Sequence, residues 1–485
     1  MTLAATPRTR SVRRAMLGSP SRWARSRRRS ELGLLLVAAV TVLFAALLVS
    51  LALSNALPAN SVKIILTMAA LVVGLQVVNR RYVPDADPVI MPVALALNGI
   101  GYVMIEALDP GHAGQQVAWM VLGLVAYTVV LAAVKRSRDL ERYRYLILAA
   151  AFVMLVAPLA PVVGRSPANQ NAYGAKLWVS FHSISFQPIE IAKLLLVLFF
   201  ASYFVEKREL LTIPTRRVGD HLLPDLRAFG PIAVAWVLSL LVILAEHDIG
   251  FSLLVFAVFL MLLWVTTGRW TYVLIGLALF AGGAFLASHL LSQVNERISV
   301  WLNPWPQAQS GGYQPIQGEL AFGRGGLWGS GLGLGLVQIN TPGDVVLPVA
   351  TSDYIFAAIG EELGLVGTVA IVVGYVLIVG SGLRAGLRAR SEFAKLAAVG
   401  LTVTLGFQAF IIMAGVTRML PDTGMTLPFV SYGGSSLVAN YILLALLMRI
   451  SNEGNQVPVA LPTPVWASGG TAERTAPQPA VPDSG

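Results

Sequence analysis

The residues best suited to chemistry begin at Asp353, in the stretch TSDYIFAAIGEELG. Glu361 and Glu362 follow within the same apolar run. An aspartate at a helix start often only caps the helix or favours its dipole. Three carboxylates entering one apolar helix exceed what capping needs, and ionisable groups within a membrane span usually have a function. We therefore predict that one of the three is a general base.

A glycine-rich segment precedes this stretch, with seven glycines between residues 323 and 335. So many glycines disfavour a helix. Irregular backbone at membrane depth is tolerated only where it is buried in protein or lines a wet cavity. We interpret the segment as the wall of a site whose backbone N–H groups form a cradle for a lipid-linked phosphate. A nucleotide-binding loop is disfavoured, because no GK[ST] follows the glycines.

Basic and polar residues accompany these segments. Arg297, Arg324 and Arg418 suit phosphate recognition, because a guanidinium can bind two phosphate oxygens at once. Glu190 and Lys193 lie three residues apart on one helix face, where a structural pair is slightly favoured over a functional one. Asp248, in the cluster Glu246 to Asp248, is interpreted as a polar anchor for neighbouring helices, because adjacent residues do not easily converge on one metal ion.

The elements that must position these residues are membrane helices. The chain has 485 residues, of which 56% are hydrophobic and 12% charged, whereas soluble proteins carry roughly a quarter charged residues. Cysteine is absent, which excludes disulfides and thiolate metal sites. The hydropathy pattern predicts an all-α polytopic membrane protein with about twelve spans. These are residues 32–53, 62–79, 89–106, 116–134, 145–163, 187–205, 228–245, 249–267, 272–291, 354–383, 394–415 and 427–450.

The basic residues predict the orientation. They concentrate in the first tail and in alternate loops, at residues 80–81, 135–144, 207–227 and 384–395, as the positive-inside rule requires of cytoplasmic segments. Both termini are then cytoplasmic, and a large loop at about 292–353 faces outward. Topology accounts for the net charge of +10 without nucleic acid. The predicted domains are a disordered Arg-rich tail (1–31), a transmembrane domain (32–450) and a disordered tail (451–485).

Six stretches in this order resemble the SEDS family of polytopic membrane proteins, the RodA and FtsW type of peptidoglycan glycosyltransferase. They are FQPIEIAK, HDIG, RISVWLNPW, GYQPIQGELAFGRGGLWGSGLGLG, TSDYIFAAIGEELG and PDTGMTLPFVSYGGSS. The Arg-rich start and the twelve predicted spans are most similar to actinobacterial RodA-type members. The resemblance extends over nearly all of residues 32–450.

The resemblance implies polymerisation of lipid II into glycan strands at the outer face of the bacterial plasma membrane, during cell elongation. It implies that Asp353 is the general base for the acceptor hydroxyl and that undecaprenyl pyrophosphate leaves. Arg297, Arg324 and Arg418 become candidates for binding the pyrophosphate, an electrostatic role, with Lys193 and Ser431 as further binding residues. Glu190, Asp248, Glu361 and Glu362 would form a supporting polar network.

The resemblance also implies a partner, a class B penicillin-binding protein with transpeptidase activity. A pyrophosphate leaving group suits Mg²⁺ or Mn²⁺ near Asp353, although the sequence assigns no ligands to such an ion. Three alternatives stay open at this point: a lipid II flippase, a scaffold, and a division-type FtsW-like polymerase. The largely apolar inner ends of the spans favour a polymerase over a flippase.

Overall fold

Long apolar runs fold as helices because a helix satisfies its own backbone N–H and C=O groups in lipid. The structure is a computed structural model. It describes residues 22–54, 61–159, 164–165, 178–181, 184–212, 216–218, 221–223, 249–290, 292–336, 346–347 and 349–456. The predicted span 228–245 lies outside these residues, as do Asp248, most of the first tail and almost all of the last.

Helices dominate the described ranges. They are α1 Arg22–Ser54, α2 Ser61–Tyr82, α3 Ile90–Leu108, α4 Pro110–Ala133, α5 Asp139–Arg142, α6 Arg144–Val156, α7 Ile189–Thr212, α8 Ile249–Thr267, α9 Trp270–Leu290, α10 Ser292–Leu302, α11 Tyr313–Gly325, α12 Ile355–Leu387, α13 Glu392–Val416 and α14 Gly434–Asn455, with 3₁₀ turns at Ala157–Leu159 and Trp305–Gln307. Short antiparallel strands pair as β1 Gly164–Arg165, β2 Trp178–Phe181 and β3 Ile184–Phe186, and as β4 Arg216–Val218 and β5 His221–Leu223.

The prediction of an all-α polytopic membrane protein is confirmed. Within the described residues, eight helices are long and apolar enough to cross a membrane: α1, α3, α4, α8, α9, α12, α13 and α14. Helices α2, α6 and α7 coincide with three further predicted spans. The total of twelve stays a prediction, because one predicted span is outside the described part of the chain.

Helix α1 begins at Arg22, ten residues before the predicted span, so the prediction that the disordered tail extends to residue 31 is wrong. The reason is a buried polar cluster at its first turns. Arg28 donates to the carbonyls of Pro84 (3.1 Å) and Ala86 (2.5 Å) and pairs with the buried Glu31. Asn79 donates to the other Glu31 oxygen at 2.7 Å. These contacts hold α1 against α2 and the segment that follows it.

Other predicted boundaries shift for local reasons. The predicted span 427–450 begins instead with a turn, and α14 starts only at Gly434. The predicted loop at 292–353 contains α10 and α11, and α11 includes Gly323 and Gly325. The expectation that glycines keep all of this segment non-helical is therefore wrong at its first two glycines.

The helices that position the candidate site pack tightly around α12. Helix α12 contacts α11, α13, α3 and α14, and α14 contacts α4 along its length. Helix α12 is interrupted at Gly364, whose φ of 65° lies in the left-handed region. At Gly101 of α3, a Cβ would lie 2.2 Å from the carbonyl oxygen of Val430. Glycine therefore permits the turn before α14 to press directly onto α3.

We expect Arg28→Met to lower the thermal stability of the purified protein. The change leaves Glu31 buried without its charge partner, and breaking a buried pair costs about 3–5 kcal/mol. Arg29→Met is the matched control, because Arg29 is exposed and belongs to the same turn. The measurement is Tm in one detergent, and equal Tm values for the two variants would contradict the structural role of Arg28.

Candidate functional site

The candidate site forms where the turn Val349–Tyr354 meets the segment Arg418–Gly433. The Ser431 hydroxyl donates to the carbonyl of Ser352 and accepts the Leu427 N–H at 2.8 Å. The Tyr432 N–H donates to the carbonyl of Thr351 at 2.8 Å. Ser431, predicted to bind substrate, thus joins the two segments and fixes the residue next to Asp353.

Backbone strain marks the same place. Among the described residues, the non-glycine residues with left-handed backbone are Val349 (φ 54°), Arg418 (φ 54°) and Phe429 (φ 67°). All three lie in the two segments that meet at the site. A left-handed valine is a genuine outlier, and such strain persists only where the surrounding structure enforces it. Strained residues tend to cluster at active sites, so this independent feature directs attention to Asp353.

Asp353 precedes α12 rather than capping it. The N-cap residue of α12 is Tyr354, which makes no side-chain cap. The Asp353 Oδ2 lies 3.9 Å from where a Cβ on Gly424 would be. The carboxylate therefore faces the turn Asp422–Gly424 of the neighbouring segment.

Tyr354 and Asp422 are site residues that the sequence did not single out. The Tyr354 hydroxyl donates to Asp422 Oδ2 at 3.1 Å, and Asp422 Oδ1 accepts the Gly424 N–H at 3.2 Å. Burial raises the pKa of Tyr354, and the nearby carboxylates of Asp422 and Asp353 raise it further. The hydroxyl therefore stays a donor at neutral pH. The PDTG turn, with an aspartate two residues before a left-handed glycine, was the available signal.

The three predicted arginines separate into two groups. Arg297 of α10 donates to the Asp422 carbonyl at 3.3 Å. Arg418 donates to Glu319 of α11 (2.8 Å) and to the carbonyl of Trp301 (3.1 Å). These two guanidiniums border the segment that Asp353 faces. Arg324 instead donates from Nε to Glu361 of α12 at 2.7 Å.

The glycine-rich segment folds against the break in α12. The N–H groups of Ser330 and Gly331 donate to the carbonyls of Glu361 (2.9 Å) and Glu362 (3.0 Å). The Gly333 N–H donates to the Glu362 carboxylate at 2.9 Å, and the Leu336 N–H to the Glu361 carboxylate at 3.0 Å. Three N–H groups of the segment predicted to cradle a phosphate, together with that of Leu336, thus already bind the chain's own oxygens. The cradle prediction is wrong for these groups, because the helix break supplies nearer acceptors.

Glu361 and Glu362, predicted to belong to a supporting polar network, accept hydrogen bonds from the backbone of the glycine-rich segment. Both are almost fully buried. Asp353 is thus separated in role from the two glutamates with which it shares a sequence motif.

Glu190 and Lys193 form a buried pair inside the helix bundle. The Lys193 ammonium pairs with Glu190 and donates to Gln408 Oε1 at 2.7 Å. The Gln408 amide in turn donates to the carbonyl of Thr426 at 2.9 Å. The pair therefore connects α7, through α13, to the segment that carries Ser431. The ammonium is committed to these partners, which favours the structural role over phosphate binding.

The described residues do not assemble a protein-made metal site. No group of three or more His, Asp or Glu side chains comes together in the described ranges. A Mg²⁺ or Mn²⁺ ion therefore stays a prediction without assigned ligands.

We expect Gly329→Ala to lower Tm markedly. A Cβ on Gly329 would lie 2.1 Å from the Glu362 carbonyl oxygen, and its φ of 81° disfavours alanine. The control is Gly323→Ala, in α11, where a Cβ would meet nothing within 4 Å and alanine gains about 0.5–1 kcal/mol over glycine. Thermal melts of both variants test the packing, and an unchanged Tm for Gly329→Ala would refute it.

We expect Glu190→Gln to reduce stability more than turnover, because it leaves the Lys193 ammonium buried beside neutral groups, at a cost of about 3–5 kcal/mol. Glu392→Gln is the control: its ion pair with Arg208 (3.2 Å) is exposed, and exposed pairs contribute about 0–1 kcal/mol. The comparison uses Tm and polymerisation rate for each variant. Normal Tm with lost turnover would move the pair into the active site.

Comparison with known proteins identifies the family of this chain. The family model for the FtsW, RodA and SpoVE cell cycle proteins matches residues 91–456. Peptidoglycan glycosyltransferase RodA of Mycobacterium tuberculosis is 40% identical over 437 residues, 88% of this chain and 91% of that protein. RodA of Mycobacterium leprae is 41% identical, covering 77% and 79%. The probable peptidoglycan glycosyltransferase FtsW of Geobacter metallireducens is 31% identical, covering 78% and 98%.

Solved structures share the fold. A chain from a study of how a peptidoglycan synthase complex coordinates polymerization and crosslinking superposes with a TM-score of 0.59 at 24% identity, covering 77% of this chain and 99% of that one. The Thermus thermophilus rod shape determining protein RodA gives a TM-score of 0.53 at 24% identity, covering 77% and 98%. The predicted resemblance is confirmed: the chain belongs to the FtsW, RodA and SpoVE family of cell cycle proteins, the SEDS family.

Proposed function

We propose that this protein is a peptidoglycan glycosyltransferase that polymerises lipid II, with Asp353 as the general base. The observation that carries the proposal is the placement of Asp353 on a strained turn, facing a segment bordered by two arginines. Relatives covering most of the chain at 40% identity bear the name peptidoglycan glycosyltransferase RodA. The greater similarity to RodA than to FtsW supports a role in elongation rather than division.

The proposed chemistry transfers one proton and exchanges one glycosidic bond. The Asp353 carboxylate accepts the proton of the acceptor sugar's hydroxyl, and the resulting oxygen nucleophile attacks C1 of the donor sugar. A C–O bond to the acceptor forms as the bond from C1 to the pyrophosphate oxygen breaks. Undecaprenyl pyrophosphate leaves with the bonding electrons. A base that accepts this proton at the transition state contributes about 10²–10⁴-fold to the rate.

Arg297 and Arg418 suit stabilisation of the leaving pyrophosphate. A fixed guanidinium near developing negative charge lowers the barrier without reorganising solvent. Their backbone and carboxylate contacts at Asp422, Glu319 and Trp301 hold them in place. We assign Arg324 a different part, because its Nε is bound to the buried Glu361; it supports the glycine-rich segment.

The proposal includes the orientation of the protein in the membrane and a protein partner. From the distribution of basic loops we infer that both termini are cytoplasmic and that the Asp353 site is outside, where lipid-linked precursors would be polymerised. A class B penicillin-binding protein would crosslink the strands. Similarity in fold to a chain of a complex that couples polymerization to crosslinking supports such a partner.

We expect Asp353→Asn to abolish polymerisation while leaving the protein folded, because the amide keeps the side chain's shape but accepts no proton. The assay is glycan-strand formation from purified lipid II by the detergent-solubilised protein with its penicillin-binding partner. The loss should be about 100-fold or more, whereas Glu392→Gln, an exposed carboxylate on α13, should retain wild-type activity.

Two outcomes would contradict the proposal differently. Full activity of a well-folded Asp353→Asn variant would remove Asp353 from the base role but keep the enzyme. Polymer from neither protein, with the complex intact, would refute the glycosyltransferase assignment and favour the flippase. Lipid translocation would then be the measurement.

A further inference from the structure

The glycine-rich segment Gly326–Leu336 presents large apolar side chains outward. Leu327 is 62% exposed and Trp328 is 81% exposed. Apolar surface of this size is unfavourable in water, because each square ångström left exposed costs about 25 cal/mol. Either something apolar covers these side chains, or the segment does not lie in water.

The segment is hydrogen-bonded alongside the start of a membrane-crossing stretch. The Leu365 N–H donates to the Gly326 carbonyl (3.0 Å), and the Val366 N–H donates to the Leu327 carbonyl (3.3 Å). Leu327 therefore lies at the same level along α12 as Leu365 and Val366, which are themselves 53% and 55% exposed.

The depth of Leu327 in the membrane can be found by counting residues from the C-terminal end of α12. The first arginine at its C-terminal end is Arg384. The hydrocarbon core is about 30 Å thick, and a helix rises about 1.5 Å per residue, so about 20 residues cross it. Counted back from Arg384, the crossing ends near Gly364. Between these points the exposed face of α12 is apolar, with Val369, Val373 and Val376 about half exposed or more. Leu327 and Trp328 thus lie at the far boundary of the hydrocarbon.

Much of the segment's backbone meets the condition for such a position. Irregular backbone cannot face lipid with unpaired N–H groups. Here the N–H groups of Ser330, Gly331 and Gly333, and of Leu336, are bound by Glu361 and Glu362. The polar groups point into the protein while the two large side chains point away from it.

We propose that Leu327 and Trp328 form an anchor in the membrane interface, inserted among the lipids of the leaflet opposite Arg384. In the predicted orientation this is the outer leaflet. Tryptophan suits this depth because its apolar ring and its N–H group match the two sides of the boundary. The surface continues the lipid-facing side of α12, which identifies bilayer lipid as its occupant. The inference does not depend on the glycosyltransferase activity.

The natural absence of cysteine provides a direct test. Trp328→Cys creates a unique labelling site for bimane in the full-length protein, reconstituted in phosphatidylcholine and phosphatidylglycerol vesicles. Ser310→Cys, exposed in the same region of the chain, is the water control, and Val376→Cys is the control for the centre of the span. Leu327→Cys repeats the test if Trp328→Cys does not fold.

We expect the label at 328 to emit at shorter wavelength than the label at 310. Lipids brominated near the headgroup should quench the emission of the label at 328 about twofold more than that of the label at 310. The label at 376 should respond more to lipids brominated near the chain ends. Quenching at 328 by aqueous iodide as strong as at 310 would place the segment in water and overturn the proposal. Protection at 328 from both iodide and brominated lipid would also overturn it, because protein rather than lipid would then cover the surface.

Discussion

The structure depends on one constraint: every backbone N–H and C=O group removed from water needs a partner. Helices meet it internally, but the candidate site is built from segments that are not helical. Two sets of hydrogen bonds provide partners for the backbone of these segments. The broken end of α12 at Glu361 and Glu362 takes up the N–H groups of the glycine-rich segment, and the Ser431 hydroxyl links the turn before α12 to the turn before α14. These hydrogen bonds allow the irregular pieces to be buried with the N–H groups of Ser330, Gly331, Gly333, Leu336 and Leu427 paired.

The same contacts explain how a strained turn can hold Asp353, the proposed base, in place. Val349, Arg418 and Phe429 adopt conformations that cost of order 1–3 kcal/mol each. They persist because rigid neighbours enforce them: α3 presses on Val430 through Gly101, and Gln408 holds Thr426. The stable helices thus hold a costly loop geometry, and the buried Glu190 and Lys193 extend that support to α7.

Much of the fold could be predicted from the sequence, because apolar runs in a membrane protein have little choice but to become helices. Local motifs also singled out Asp353 and Ser431 as candidates, and helical spacing predicted the pairing of Glu190 with Lys193 that the structure shows. What could not be predicted was which distant groups meet. The separation of Arg324 from Arg297 and Arg418 follows from their partners: Arg324 binds Glu361 of α12, whereas the other two bind the Asp422 carbonyl and Glu319. Sequence spacing carries no such information. The glycines were correctly recognised as unusual, yet their partner, the break at Gly364, is encoded by a single residue that resembles any other helical glycine.

The hydrogen bond from Tyr354 to Asp422 was missed for a related reason. A tyrosine at the start of an apolar helix fits core packing as well as it fits any polar role, and only the approach of a segment almost seventy residues away reveals its donor. When the role of a residue depends on a tertiary contact, composition and periodicity do not predict that role.

The interruption of α12 also fixes the distance between Gly364 and Asp353. Gly364 divides the helix into a long membrane-crossing part and a short arm, from Ile355 to Leu363, that ends beside Asp353. Nine residues at about 1.5 Å each make the arm about 13 Å long. A substrate tethered to the bilayer by its lipid chain presents its reacting sugar at a height set by its own pyrophosphate linkage. With the boundary at Gly364 and Asp353 as the proposed base, the length of the arm would set the greatest height at which the carboxylate meets that sugar. Under the proposed function, selection for the substrate would then depend partly on distance from the membrane, in addition to chemical recognition.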